Sequence, residues 1–381
     1  MNPRPTGPDT LELTPAAARQ HVAEGWPLLD IRAPAERNLG YFEAALAVDA
    51  QALLAAEVPE VSPEVPLLVI CASGVRSLSV VRALRERGFD AAYSVAGGYV
   101  GWRLAGLPMT YPDRLQAGQV ERYARHLVMP EVGPEGQRSL LDAAVLVVGA
   151  GGLGCPAALY LAAAGVGRLG IVDHDRVERS NLQRQVLHAD ATVGSLKTAS
   201  AEERLVQLNP DIEIAGIPAR LAAGNVEQVL TDWDVVIDGS DNFPTRYLLN
   251  DACLKLGLPL VYGAVMRFEG QVSVFQPAAK RGEYPCYRCL FPEPPTPEEA
   301  PDCNVAGVLG VLPGLVGTLQ AAEAIKLLLG IGEPLVGRLL RIDVLGQRFA
   351  VSRLPADPQC ALCRPGQAFP GYPDYEAFCA A

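Results

Sequence analysis

The chain has 381 residues with 32 basic and 43 acidic side chains, a net charge of −11. Its 49% apolar and 20% charged residues are a globular composition, not a disordered one, and the length suits two or three domains. The acidic balance excludes bulk electrostatic capture of nucleic acid or of an anionic membrane, since both need a basic footprint; neither is expected as a partner.

The opening MNPRPTGPDTLEL has no basic region followed by an apolar core, so no signal peptide is expected and the default location is cytoplasmic. A small α/β domain is expected over residues 8–110. WPLLDIR is a short apolar strand, and PLLVICASG is a second strand ending in a loop. SLSVVRALRERG is an amphipathic helix beginning near Ser77 and closed by Gly88, and AAYSVAGG is a further strand and turn. The mixed, proline-containing stretch Leu107–Gly118 reads as a linker, drawn at 111–119.

Cys71 opens the loop CASGVRS between the second strand and the helix. A thiolate there meets a helix N-terminus, backbone N–H donors and Arg76, all of which lower a thiol pKa and prepare a nucleophile. The alternative is a buried structural cysteine, but Ser73, Gly74 and Arg76 are poor core residues. With LLDIRAPAE upstream (Asp30, Arg32, Glu36) and VAGGYVGW downstream, the stretch Leu11–Pro108 resembles a single rhodanese domain. The resemblance implies a persulfide on Cys71. Only four residues separate Cys71 from Arg76, and phosphatases of related fold use a loop one residue longer, so the spacing favours sulfur. One departure is GYFEAA, starting at Gly40, where rhodaneses usually show Gly-His-Ile-Pro-Gly-Ala.

A second, larger α/β domain is expected over 120–381. The uncharged run Ala143–Gly167 is long enough to span a bilayer, but Gly149, Gly151, Gly152, Gly154 and Pro156 at its centre predict strand, turn and helix instead. Pro156 suits the first turn of that helix and Gly165 its end. GAGGLG fits a nucleotide-binding turn, and Asp173 ends the next strand where an acid typically takes a ribose hydroxyl. Alone, this pattern suggests NAD or FAD. The residues beyond Asp173 suit a triphosphate and magnesium better: Asn181 and Arg184 in SNLQRQ, Lys197 after TVGSLK, and Asp241 and Asn242 after the strand of DVVIDGSDN. PLVYGAVMRFEGQVSVF is β-rich, Phe291–Asp302 reads as a mobile surface loop, and VLPGLVGTLQAAEAIKLLLG reads as a long apolar helix.

Four of the nine cysteines form two pairs, Cys286/Cys289 and Cys360/Cys363. Two such knuckles complete a closed tetrahedral site, the structural zinc pattern, which would staple a chain terminus onto the domain. A dithiol redox pair is the alternative. Cys155, Cys253 and Cys379 read as packing or tail cysteines, and His21, His126, His174 and His188 show no ligand spacing.

From RYARHLVMPEVGPEGQ to the last cysteine pair, the chain resembles the ubiquitin-activating-like adenylyltransferases, the MoeB, ThiF and HesA group. The resemblance implies a Rossmann-like doubly wound ATP-binding domain. It implies a nucleotide on Gly149, Gly151, Gly152 and Gly154, with Asp173 at the ribose and Asp175, Ser180 and Asn181 in the same set. Arg184 and Lys197 would hold phosphates, Asp241 would hold magnesium, and Asn242 belongs to the nucleotide-binding set. Arg125 would reach the phosphates of a neighbouring subunit, which implies a homodimer. The two cysteine pairs match the family's zinc ligands. Cys303 matches a cysteine that takes the activated carrier as a thioester or acyl persulfide; a spare cysteine beside a loop is the alternative.

The expected fold is thus α/β throughout: a small rhodanese domain, then a doubly wound ATP-binding domain with a zinc-stapled C-terminal part. The expected activity is ATP-dependent adenylation of the C-terminal glycine of a small ubiquitin-like sulfur carrier protein, of the molybdopterin-synthase or thiamine type. Sulfur from the Cys71 persulfide, loaded by a donor such as a cysteine desulfurase, then gives a thiocarboxylate. Two rivals are an NAD-dependent oxidoreductase and a sulfur-relay scaffold without adenylation. SNLQRQ and the paired cysteines count against the first; Arg125, Arg184, Lys197 and Asp241 count against the second. Adenylation of a small molecule or a tRNA base stays open.

Overall fold

The computed structural model describes residues 10–55, 62–295 and 307–380. Contacts divide the chain into two compact units, Met1–Gln137 and Arg138–Ala381.

In the first unit the apolar runs become a five-stranded parallel sheet. Its strands are β1 (Glu12–Leu13), β2 (Leu28–Asp30), β3 (Ala45–Ala47), β4 (Leu67–Ile70) and β5 (Ala92–Val95), in the order β1-β5-β4-β2-β3. Strand β4 is buried at every residue, as a central parallel strand covered on both faces must be. Alternate side chains serve opposite cores. Leu68 and Ile70 join Tyr93, Tyr99 and Trp102, while Leu67, Val69 and Cys71 join Val80, Val81 and Leu84. The helix after β4 spans Val75–Glu86, starting two residues earlier than its apolar periodicity suggests. Gly74, at φ 89°, supplies the left-handed cap that permits the early start. Strands β1 and β3, of two and three residues, are too short to carry a period. The expected linker contains a short 3-10 turn, Pro112–Arg114, and helices come next at Ala117–Arg122, Ala124–Leu127 and Gly133–Asp142.

The second unit is built on an eight-stranded sheet. Its strands are β6 (Ala144–Val148), β7 (Arg168–Val172), β8 (Glu213–Ile217), β9 (Val235–Asp238), β10 (Leu260–Met266), β11 (Glu269–Phe275), β12 (Arg338–Asp343) and β13 (Arg348–Arg353). Their order is β13-β12-β11-β10-β9-β6-β7-β8. Neighbours from β10 across to β8 pair in parallel; β11, β12 and β13 extend the sheet antiparallel. From β6 the chain runs to β7 and β8 on one side, then returns to β9 and β10 on the other. The topological switch point therefore lies between β6 and β9, and the crevice beyond their carboxyl ends is where such sheets take ligands.

The run that could have been a membrane span is strand β6, a glycine turn and the helix Gly154–Ala164, ended by Gly165 in the left-handed conformation at φ 85°. The glycine turn is sterically obligatory: a Cβ on Gly154 would sit 1.8 Å from the Gly149 carbonyl oxygen. The helix Val311–Leu329 is long and apolar enough to cross a membrane by length and composition, and 44% of its apolar window is buried inside the fold. Its Gln320 lies so close to β10 that a Cβ on Gly263 would meet the amide at 2.5 Å.

Candidate active sites and metal centre

The switch-point crevice is a cavity of about 330 Å³. Gly149, Gly151, Gly152, Asp173, Asp175, Arg184, Lys197, Asp241 and Asn242 all line it. Residues on separate stretches of the chain, chosen by their place after strands or in motifs, thus converge. Gly154 lies beneath the turn as the first residue of its helix. Ser180 and Asn181 are not in the lining; they form the 3-10 turn that presents Arg184, whose guanidinium donates to the Ser180 carbonyl at 3.4 Å. Arg125 belongs to the first unit. The Phe291–Asp302 loop lies only in part within the described residues, and Cys303 lies outside them.

Asp173 ties the turn to the next strand. Its carboxylate accepts from the Ala150 N–H and the Asp175 N–H, each at 2.8 Å. Lys197, at the start of the helix Lys197–Leu208, donates to Asp175 at 2.8 Å and stands 3.8 Å from Asp173. Burial works to lower the Lys197 pKa, but Asp173, Asp175 and Asp241 outweigh it and raise the value above the ordinary lysine range. Asp173, His174 and Asp175 bring three ligand atoms within 4.8 Å of one another, a grouping at the strand end that the spacing of histidines along the chain did not suggest for His174. His188 behaves as a satisfied interior histidine. Its ring meets Ser200 Oγ and the Ala150 carbonyl, both at 3.0 Å, directly under the glycine turn.

Several lining or supporting residues escaped the sequence reading. Asp238, the last residue of β9, accepts from the Ser240 N–H and hydroxyl at 3.0 and 2.6 Å and lies 4.0 Å from Arg246. Burial raises its pKa against the pull of Arg246. Gln320 donates to the Asp238 carbonyl at 2.7 Å. Gln185, Ser240, Thr245 and Arg246 line the cavity. Asp238 stood inside the quoted DVVIDGSDN, and its position one residue before a Gly-Ser turn was the available signal. Gln320 carried none, being a single polar residue in an apolar helix.

The second site surrounds Cys71. Its sulfur accepts from the Gly74 N–H at 3.1 Å and from the Ser77 hydroxyl at 3.3 Å. Burial raises the thiol pKa, but Ser77, Ser73 and Gly74 together bring it below the ordinary value. The loop is held by the glycine turn after β5. Tyr99 N–H donates to the Cys71 carbonyl at 2.8 Å, and a Cβ on Gly98 would meet that oxygen at 2.4 Å. Arg76 pairs with Glu36 at 2.5 Å, and its pKa is raised by Glu36 against burial and further by the cysteine. Arg32 forks onto Asp30 at 2.9 and 2.7 Å and lies over the Tyr99 ring at 4.7 Å, which fixes the loop below.

The third cluster is Cys286, Cys289, Cys360 and Cys363. Their sulfurs lie within 4.8 Å of one another, with 3.9 Å between Cys286 and Cys289, 3.6 Å between Cys286 and Cys360, and 3.4 Å between Cys289 and Cys363. A tetrahedral zinc with bonds of about 2.3 Å needs sulfurs about 3.8 Å apart, so the set fits the ion. The Asp357 N–H points at Cys289 at 3.4 Å and the Cys363 N–H at Cys360 at 3.5 Å, the donors a thiolate cluster requires. Arg288, inside the first knuckle, forks onto buried Asp251 at 3.0 and 2.7 Å, and Tyr375 of the C-terminal helix donates to the same carboxylate at 2.8 Å. Cys155 donates to the Ala150 carbonyl, and burial pushes its thiol up to about 12.

A model of the ThiF family matches residues 123–362, and a model of the rhodanese-like domain matches 14–105. The chain is 52% identical over 262 residues to the sulfur carrier protein adenylyltransferase of Thermus thermophilus, a match covering 68% of this chain and 97% of that one. It is 55% identical over 252 residues to the SAMP-activating enzyme E1 of Haloferax volcanii, covering 66% of this chain and 92% of that one. It is 47% identical over 275 residues to the adenylyltransferase and sulfurtransferase MOCS3 of Mus musculus, where the match takes 72% of this chain and 59% of that longer protein. Among solved structures, E. coli MccB with ATP superposes at TM-score 0.54 over 64% of this chain and 74% of that one; at 23% identity this speaks to the fold alone.

Proposed function

We propose, from the premise that this chain belongs to the ThiF family and joins a rhodanese-like domain to it, that it activates a small ubiquitin-like sulfur carrier protein with ATP and converts the carrier's C-terminal glycine to a thiocarboxylate. We draw the rhodanese domain at 8–110 and the adenylating domain at 120–381. The observation that carries the reading is the convergence of Arg184, Lys197 and Asp241 on the glycine-turn cavity, in a chain whose other domain holds a cysteine activated by hydrogen bonds.

ATP would lie on the turn at Gly149–Gly152, its ribose toward Asp173 and its phosphates toward Lys197 and Arg184. Magnesium bound at Asp241 would supply neutralising charge for the departing pyrophosphate. A carboxylate oxygen of the carrier attacks the α-phosphorus, pyrophosphate leaves, and an acyl-adenylate results. The protein's contribution is positioning and charge neutralisation. The outer sulfur of a Cys71 persulfide then attacks the acyl carbon and AMP leaves. A thiolate attacking Cys71 Sγ releases the thiocarboxylate and leaves a disulfide, which further thiol reduces. Cys303 is the thiol we assign to the acyl or disulfide stage. Arg125 is assigned to the neighbouring subunit's phosphates, hence a homodimer, and the sulfur donor to a cysteine desulfurase. Fusion raises the concentration of persulfide near the adenylate.

The test is ATP–pyrophosphate exchange across a panel of ubiquitin-like carriers ending in Gly-Gly. Exchange that depends on one carrier is the expected result. No exchange with any carrier, together with NAD binding, overturns the reading in favour of an oxidoreductase.

A further inference from the structure

Cys71 meets a linked pair of serines, Ser77 directly and Ser94 through it. Ser77 Oγ lies 3.3 Å from Cys71 Sγ, 3.0 Å from the Gly74 carbonyl and 2.9 Å from Ser94 Oγ. Ser77 and Ser94 are fully buried. A hydroxyl has one proton to donate and can accept two. Ser77 therefore faces two acceptors with one proton. Ser94, on β5, has one side-chain partner among the described residues, the Ser77 oxygen. A buried hydroxyl proton without an acceptor is costly, so the Ser94 proton goes to Ser77.

We infer that Ser94 is a positioning residue for the sulfur chemistry: by donating to Ser77 it leaves the Ser77 proton for Cys71 when that sulfur is a bare thiolate, and for the Gly74 carbonyl when it carries a second sulfur. The two acceptors lie on either side of one hydroxyl rotation. When the thiolate attacks a donor persulfide R–S–S⁻ at its outer sulfur, the Sγ–S bond forms, the S–S bond of the donor breaks and the donor sulfur leaves as thiolate. Charge moves to the new outer sulfur, and Sγ becomes a poor acceptor. The Ser77 proton then turns to Gly74 O, while Ser94 goes on donating. Every buried hydroxyl stays satisfied in both states. Ser94 touches no reacting atom; it acts by polarising the Ser77 O–H, as chained hydrogen bonds do. The strand pairing supplies the geometry. β4 and β5 run parallel with Val69 opposite Ser94, which brings Ser94 beside the base of the cysteine loop.

The inference rests on Cys71 as the sulfur-bearing thiol, but its test reads the thiolate itself. Short iodoacetamide pulses across pH, scored by mass spectrometry on the Cys71 peptide and normalised to each variant's own plateau, give the titration midpoint. Ser77→Ala should raise it by about one unit and Ser94→Ala by about half a unit. The double variant should match Ser77→Ala alone, because Ser94 acts through Ser77. Ser94→Thr, which keeps the hydroxyl, should restore the wild-type midpoint. If Ser94→Ala does not fold, Ser94→Cys, a weaker donor, should give a smaller rise. An unshifted midpoint in the folded Ser94 variant, or a double variant shifted by the sum of both, overturns the relay. A shifted midpoint in a protein that transfers no sulfur would overturn the persulfide reading and leave the relay standing.

Discussion

The Lys197 ammonium lies 2.8 Å from the Asp175 carboxylate, with 8% of the lysine side chain and 54% of the aspartate side chain exposed. The cation that would meet phosphates is held inside the cavity by a partner facing solvent. Its raised pKa keeps it charged across the physiological range, the raising charges of Asp173, Asp175 and Asp241 having overcome burial. A triphosphate entering the cavity would compete with Asp175 for that charge, the exchange being one carboxylate for a more highly charged anion.

From this arrangement, Asp241→Ala should cut carrier-dependent pyrophosphate exchange at least about 100-fold, close to 3 kcal/mol of transition-state stabilisation. Asp241 is exposed, so the thermal midpoint should move little. Exchange assays beside a melting curve check both, and undiminished exchange in the folded variant removes Asp241 from the mechanism.

The glycine turn should be sensitive to acid. Burial holds the His188 imidazole below its ordinary value although the Ala150 carbonyl opposes it. The folded pKa is therefore lower than the unfolded one, and the unfolded chain binds more protons between the two. The stability contributed by neutral His188 is complete above about pH 6.5 and is lost as pH falls below it. Urea titrations from pH 8 to pH 5 should show this decline, and His188→Gln should flatten that part of the profile.

Metal content gives a third check. One zinc per chain is expected on Cys286, Cys289, Cys360 and Cys363, and a closed thiolate site contributes folding free energy directly. Chelation should lower the thermal midpoint, and Cys286→Ser should lower both metal content and stability. A Cys286→Ser protein with full zinc would refute the assignment.

The two chemistries should separate by mutation. Cys71→Ala should abolish sulfur transfer and keep adenylation, since adenylyl transfer from ATP to a carboxylate oxygen needs no thiol. Cys303→Ala should keep both the Cys71 persulfide and the adenylate while the thiocarboxylate yield falls. Mass spectrometry of the carrier terminus and of the trapped persulfide reads each result. If Cys71→Ala also blocks adenylation, the separate-site scheme fails.

The steric demands of the glycine turn and of the cysteine loop are local, and so they were legible. GAGGLG can only be a tight turn before a helix when a Cβ on Gly154 would meet Gly149 O at 1.8 Å. A C-x-x-C pair advertises its ion through spacing alone. The Asp30–Arg32 fork lies two residues apart in the chain. By contrast, Glu36 and Arg76 are 40 residues apart, and their pairing depends on β2 lying beside β4. Ser94 read as a strand residue and nothing more until its register placed it beside Ser77.

The sequence by itself determined the chemistry-bearing residues, the two α/β halves and the turns that present Cys71 and Gly149, because spacing, glycine and cysteine act over a few residues. Only the tertiary structure decided which distant polar groups meet. Sheet order brings β6 against β7 and so sets the Asp173 carboxylate on the Ala150 N–H 23 residues away, and the register of a buried helix lets Gln320 hold the Asp238 carbonyl 82 residues away in the chain. Each of those contacts satisfies a buried polar group, and what satisfies it is a matter of packing, which no short stretch of sequence contains.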